Sequence, residues 1–190
     1  MRPSILLGIG LVFLTIGLCP GWLLQQDASA RLVIARELWK NNTVFIERAR
    51  PERYVRTPNG YTTYFGIGQT LLFIPFDYLG YQLGKLPGAA KWWDNHIQVL
   101  PLLLLYLPLL SILWWNALRF LLHQLGLSEK ESLKWSTLYF IFSAMLVYSA
   151  QSFQEEPILG ILSAFALGLC LRWQKNGSRT CALRVGLLGA

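Results

Sequence analysis

The chain has 190 residues, 54% of them hydrophobic and only 14% charged, about half the usual soluble share of roughly a quarter. So few charges cannot cover the core that a soluble domain of this size would build, and the composition points to a lipid bilayer as solvent. Seventeen Lys and Arg against ten Asp and Glu leave a net charge of +7. Basic loops beside spans, meeting anionic headgroups, account for that charge without a nucleic acid partner. The tryptophans cluster near the ends of apolar runs, where indole rings settle at a membrane–water boundary. Cys19, Cys170 and Cys181 show no CxxC spacing, and His96 and His123 are isolated, which argues against a disulfide framework or a zinc site.

In chain order, the expected architecture is an all-α, polytopic membrane helix bundle formed by a single region, residues 1–190. A crossing helix needs about 20 mostly apolar residues. Spans are expected at about 5–24, 97–122 (with kinks at Pro101 and Pro108), 135–154 and 157–173. A further run from 182 reads as the start of a truncated span, and the chain as an N-terminal fragment. Arg2, the first run and Ala28-Ser29-Ala30 also resemble a signal peptide, but the run exceeds the roughly 7–15 residues of a typical one, so an uncleaved anchor is the reading adopted.

Residues 25–95 form the expected first external loop, with juxtamembrane helices. Within it, Ala28, Leu32, Ala35 and Leu38 or Trp39 share one helical face. Gly66–Gly84 is apolar but carries Asp77 near its middle, and Pro75 and several glycines. A carboxylate at the bilayer centre costs on the order of 2.5–3.5 kcal/mol even on lenient scales. The segment therefore reads as amphipathic or half-buried, lying at one membrane face. With the N-terminus cytoplasmic, Arg119, Lys130, Lys134, Arg172 and Lys175 all fall inside, as the positive-inside rule asks; the arginine-rich first loop does not follow it, though long loops weigh less.

Three groups could carry chemistry. Asp27 follows the first span; as an N-cap it would serve only its helix, and as an acid held at the membrane surface it could act as a general base. Glu155 and Glu156 stand before Pro157, where a carboxylate suits a first helical turn, on the same expected face as Asp27. Between them runs Tyr61-Thr-Thr-Tyr64-Phe-Gly-Ile-Gly-Gln69-Thr, then Leu-Leu-Phe-Ile-Pro-Phe-Asp-Tyr-Leu-Gly80. Its tyrosines and Gln69 offer hydrogen bonds.

An acidic residue after the first span, an amphipathic helix, the Gly-x-Gly-Gln-x-Leu-Leu-x-x-Pro-Phe segment and Glu156-Pro157 together resemble the GT-C glycosyltransferases. The similarity is to the branch of protein O-mannosyltransferases and lipid A aminoarabinose transferases. The resemblance implies a membrane enzyme, at the outer face of a bacterial inner membrane, that moves a sugar from a polyprenyl-phosphate donor to an acceptor hydroxyl with inversion. Asp27 and Glu156 match its catalytic acidic positions. Arg56, Tyr61, Tyr64, Gln69, Lys85 and Glu155 are the candidate substrate contacts, the two cations holding the departing phosphate. The resemblance fixes no cofactor and leaves a divalent metal open. The chain departs from the family in lacking its Lys-Pro-Pro element and in having Glu rather than Asp at 156. The alternatives are a non-catalytic membrane subunit and a transporter or flippase fragment; apart from Asp77 the apolar runs lack the polar residue a transporter would want.

Overall fold

The computed structural model describes residues 3–18, 26–47, 54–62, 67–87, 96–143, 145–147 and 156–176. The apolar runs within them are helices: α1 (Pro3–Leu18), α2 (Gln26–Asn41), α3 (Ile67–Gly84), α4 (His96–Pro101), α5 (Leu107–Gln124), α6 (Glu129–Phe142) and α7 (Glu156–Asn176). A π-helical stretch, Leu102–Tyr106, links α4 to α5 and is closed by the Leu107 amide on the Leu102 carbonyl. It sits between the two prolines expected to kink this run. Pro108 has no amide for the carbonyl four residues back, and its ring crowds that carbonyl; a wider turn just before it relieves the clash.

The fold is all-α, with one short hairpin among its helices. Val55–Thr57 (β1) and Gly60–Thr62 (β2) form an antiparallel hairpin that was not expected, with Arg56 opposite Tyr61. β-branched residues on both strands and a Pro58-Asn59 turn favour it. Gly60, at φ +129°, is required there, since a Cβ would lie 2.9 Å from the Ile46 carbonyl oxygen. Ile46 extends the ribbon by exchanging two backbone hydrogen bonds with Tyr61, of 2.8 and 2.9 Å.

The described elements divide into two compact units. In one, α1, α6 and α7 gather on α5. Thr15 of α1 donates to the Ser111 hydroxyl at 3.0 Å, and the Trp115 indole donates to Thr137 of α6 at 3.1 Å. Small residues bring α7 close: a Cβ at Gly160 would stand 2.9 Å from the Trp114 ring, and one at Gly168 would stand 2.6 Å from Phe120. Two helical stretches are long and apolar enough to cross a membrane, Val99–Gln124 and Pro157–Lys175; α5 buries Leu110, Ser111, Trp114, Trp115 and Ala117, which makes it the inner helix of this unit. α1 is apolar but has 16 residues.

The run expected to cross at 135–154 is different. α6 begins earlier, behind a Ser128 capping box with Glu131, and ends at Phe142. Ser143 is extended there, and its hydroxyl accepts the Met145 amide at 3.2 Å, a local bond that competes with the helix ladder. The expected run from 182 lies outside the described residues.

In the second unit α3 packs between α2 and the α4–π stretch. Its apolar core includes Ile34 and Ala35 of α2, Phe73 of α3 and Leu102, all essentially inaccessible.

Two outcomes test this packing. Gly168→Leu should overpack the α5–α7 contact and destabilise the protein by about 1–3 kcal/mol, read as a lowered midpoint of thermal unfolding in detergent. The bonds from Ser128 hold the Glu131 carboxyl below its ordinary range. A depressed folded-state value contributes stability present above the unfolded pKa and lost as pH falls through the folded one. Protection of the first-turn amides of α6, corrected for the intrinsic pH dependence of exchange, should therefore fall as the Glu131 carboxyl is protonated in acid, and Glu131→Gln should abolish that dependence.

Candidate functional site

α2 and α3 are joined by a seam of polar side chains that runs the length of their contact. Near one end, Arg31 donates from Nη1 to Oε1 of Gln69; the two residues are 3% and 4% exposed. Tyr106, also buried, sets its ring edge-on to Phe73 and Phe76, with centroids 5.3 and 5.4 Å away. Two turns further, Asp77 is fully buried and receives three donors. Arg36 reaches it with Nε at 3.2 Å and Nη2 at 2.5 Å, and the Trp39 indole with Nε1 at 2.8 Å. A fork-on-carboxylate pair of this kind is among the stronger and more directional polar contacts.

Beyond it the seam becomes aromatic. Trp39 is edge-on to Tyr78 and Tyr81, at 5.3 and 5.2 Å. The Lys85 and Lys40 ammonium groups lie 4.3 and 5.9 Å from the centroid of the Tyr81 ring. The order of contacts, 31 with 69, 36 with 77 and 39 with 81, advances along both helices together. α2 and α3 are therefore parallel, which obliges the hairpin-bearing segment to carry the chain back between them.

The sequence-derived candidates separate in this frame. Gln69 lies inside the seam, bonded to Arg31 rather than open to a ligand. Arg56 is exposed and Tyr61 half-buried, opposite one another in the hairpin. Lys85 is exposed just past α3, sixteen residues or about 24 Å of helix rise from Gln69. Asp27 falls in the first turn of α2, which starts at Gln26, so it is within the helix rather than ahead of it as a cap. A carboxylate there still meets the positive end of the helix dipole. Because the helices are parallel, Asp27 belongs to the Gln69 end and Lys85 to the other, so one reacting centre cannot engage both. Glu156 opens α7, directly before Pro157. The side chains of Asp27 and Glu156, and the whole of Tyr64 and Glu155, lie outside the described residues. Among the described residues no group of three or more His, Cys, Asp or Glu could hold a metal ion.

The expected apolar stripe on α2 is rotated. Leu32 and Ala35 are buried as expected, but so are Ala30, Arg31 and Ile34, because Arg31 has Gln69 to meet. Arg31, Arg36, Trp39 and Asp77 were not among the candidates. A signal existed: Arg31 to Trp39 and Gln69 to Asp77 are both eight residues, equal rises on two neighbouring helices. Comparison of the chain with protein-family models, curated proteins and solved structures gives no match.

The seam makes an asymmetric prediction. The Arg36 side chain is 30% exposed and Asp77 fully buried. Arg36→Met strands a buried carboxylate and should cost about 3–5 kcal/mol. Asp77→Asn leaves a guanidinium that can turn to water and should cost less. Arg36→Met combined with Asp77→Leu should recover much of the loss, read by thermal unfolding and by amide exchange in α3.

Proposed function

We propose that this chain belongs to a multi-pass membrane glycosyltransferase that moves a sugar from a polyprenyl-phosphate donor to an acceptor hydroxyl. What supports this reading is the resemblance of its acidic and Gly-Gln segments to GT-C enzymes, together with one geometric observation. Asp27 lies in the first turn of a helix that two polar links, the buried Arg31–Gln69 and the half-buried Arg36–Asp77, lock against its neighbour. A general base gains from such rigid mounting, since catalysis by position needs little reorganisation at the moment of reaction.

In the proposed reaction the acceptor oxygen attacks the anomeric carbon as the bond from that carbon to the phosphate oxygen breaks. The configuration inverts, the hydroxyl proton passes to Asp27, and polyprenyl phosphate leaves with the electron pair. Of the two cations assigned to the phosphate, Lys85 stands at the far end of the α2–α3 pair from Asp27, so the proposal rests the phosphate contact on Arg56 alone. Glu156 is the second acidic group, and the reading requires it to face the same side of the membrane as Asp27.

That requirement is the test. Single cysteines at 27 and 156, introduced with Cys19, Cys170 and Cys181 replaced, should both react from outside intact cells with an impermeant thiol reagent. In membranes from cells expressing the protein, Asp27→Asn should lower sugar transfer by about 10²–10⁴-fold while leaving expression unchanged. Labelling from opposite faces would remove the shared site and with it the glycosyltransferase reading. Full transfer by the Asn variant would leave Asp27 as a helix-terminal charge in a non-catalytic subunit.

A further inference from the structure

At one end of the unit built on α5, the start of α1, the end of α5 and the start of α6 converge around two adjoining clefts. The first, of about 300 Å³, is lined by Asn116, Arg119, Phe120, His123, Glu129 and Ser132. The second, of about 570 Å³, is lined by Pro3, Ser4, Lys130 and Leu133, with Arg119 and Glu129 shared between the two. The partition between them is thus a single ion pair, Arg119 Nη2 to Glu129 Oε1 at 2.7 Å, whose side chains are 23% and 81% exposed.

We propose that these clefts bind the phosphate headgroup of an anionic phospholipid, with Arg119 as the bidentate contact and Lys130 beside it. Three observations carry this. The Arg119–Glu129 pair is weakly held, because an ion pair whose acid is so exposed is screened by solvent. A phosphate oxygen pair matches the guanidinium fork at least as well as Glu129 does, and Glu129 can swing into water when displaced. The other nearby charges leave the site basic: Glu131 is taken up by Ser128, at 3.0 and 2.6 Å from its amide and hydroxyl, whereas Lys130 and Lys134 are not matched by further acids in the first turns of α6. Lys175 is already spent on the Gln124 carbonyl, at 2.5 Å.

The occupant is a lipid rather than a free anion because of what adjoins the clefts. On the side of α6 away from the clefts Trp135, Leu138, Tyr139 and Phe142 are exposed, an apolar surface suited to lipid, and Lys134 holds its ammonium 5.3 Å from the Trp135 ring centroid. The clefts lie at the end of Val99–Gln124, which is long and apolar enough to cross a membrane, and Phe120, Leu133 and Pro3 line them beside the cations, so a headgroup held there has apolar surface for the start of its acyl chain. Basic pockets between membrane helices bind anionic headgroups in this manner. The inference uses residues separate from Asp27 and Glu156, so its failure would leave the glycosyltransferase reading standing.

The test is native mass spectrometry of the full chain in neutral detergent, titrated in turn with dioleoyl phosphatidylglycerol, dioleoyl phosphatidylcholine and glycerol 3-phosphate. Phosphatidylglycerol should be retained preferentially, and Arg119→Gln should weaken its retention about tenfold. Glu129→Gln should bind as well as the parent or better, since it removes the competitor without removing the site. Arg172→Gln, which changes a cation outside the clefts, should bind like the parent. Equal retention of both lipids, a loss in Glu129→Gln or Arg172→Gln matching that in Arg119→Gln, or displacement of the lipid by equimolar glycerol 3-phosphate would each overturn the proposal. Circular dichroism of every variant separates lost binding from lost fold.

Discussion

The buried carboxylate of Asp77 constrains the α2–α3 unit more than any other group. An acid with no exposure is costly to leave without partners in an apolar helix pair, so α3 packs where a cation and a donor meet it. Arg36 and Trp39 supply both from α2, three residues apart and therefore on one face. That single requirement sets the register of the two helices. It places Gln69 against Arg31 two turns away and brings Tyr78 and Tyr81 onto Trp39. It also makes the helices parallel, so the chain between them must return along their length. A solvated pair of this kind would contribute little; a buried one acts through the cost of breaking it.

The unit on α5 is organised by a different device. Its long helices are apolar on most faces, so apolarity alone does not choose their contacts. Steric fit does so instead. Gly160 and Gly168 remove the side chains that would hold α7 away from Trp114 and Phe120, and Thr15 and Ser111 let α1 exchange a hydrogen bond with α5 across a close approach. Small residues that bring backbones together, with hydroxyls bridging between helices, are the contacts expected where lipid tails are as apolar as the side chains.

Pairing also alters the argument that Asp77 keeps Gly66–Gly84 at the membrane surface. The insertion cost belongs to an isolated charge, and Asp77 is not isolated once Arg36 is bound to it. What still sets α3 apart from the two stretches long and apolar enough to cross is its summed polarity, with Gln69, Thr70, Asp77 and Gln82 in one 18-residue helix. The parallel arrangement has a consequence for chemistry as well. It separates Asp27 from Lys85, two residues that a linear reading assigns to the same reaction.

Several features follow from the sequence alone. Helices at 3–18, 96–124 and 156–176 follow from long apolar runs, because a chain with few charges and no strand periodicity satisfies its backbone within each run. The disturbance between Pro101 and Pro108 follows from the missing amides, and the Glu156-Pro157 helix start from the chemistry of a first turn. Other features needed the tertiary structure. The hairpin at 55–62 depends on Ile46 arriving from outside it to pair with Tyr61. The burial of Arg31, the partner of Asp77 and the direction of α2 relative to α3 all depend on contacts between residues about 40 positions apart. Local spacing records which side chains share a helix face; only packing decides which face of another helix they meet, because that choice is made by the energetic cost of leaving a buried charge alone.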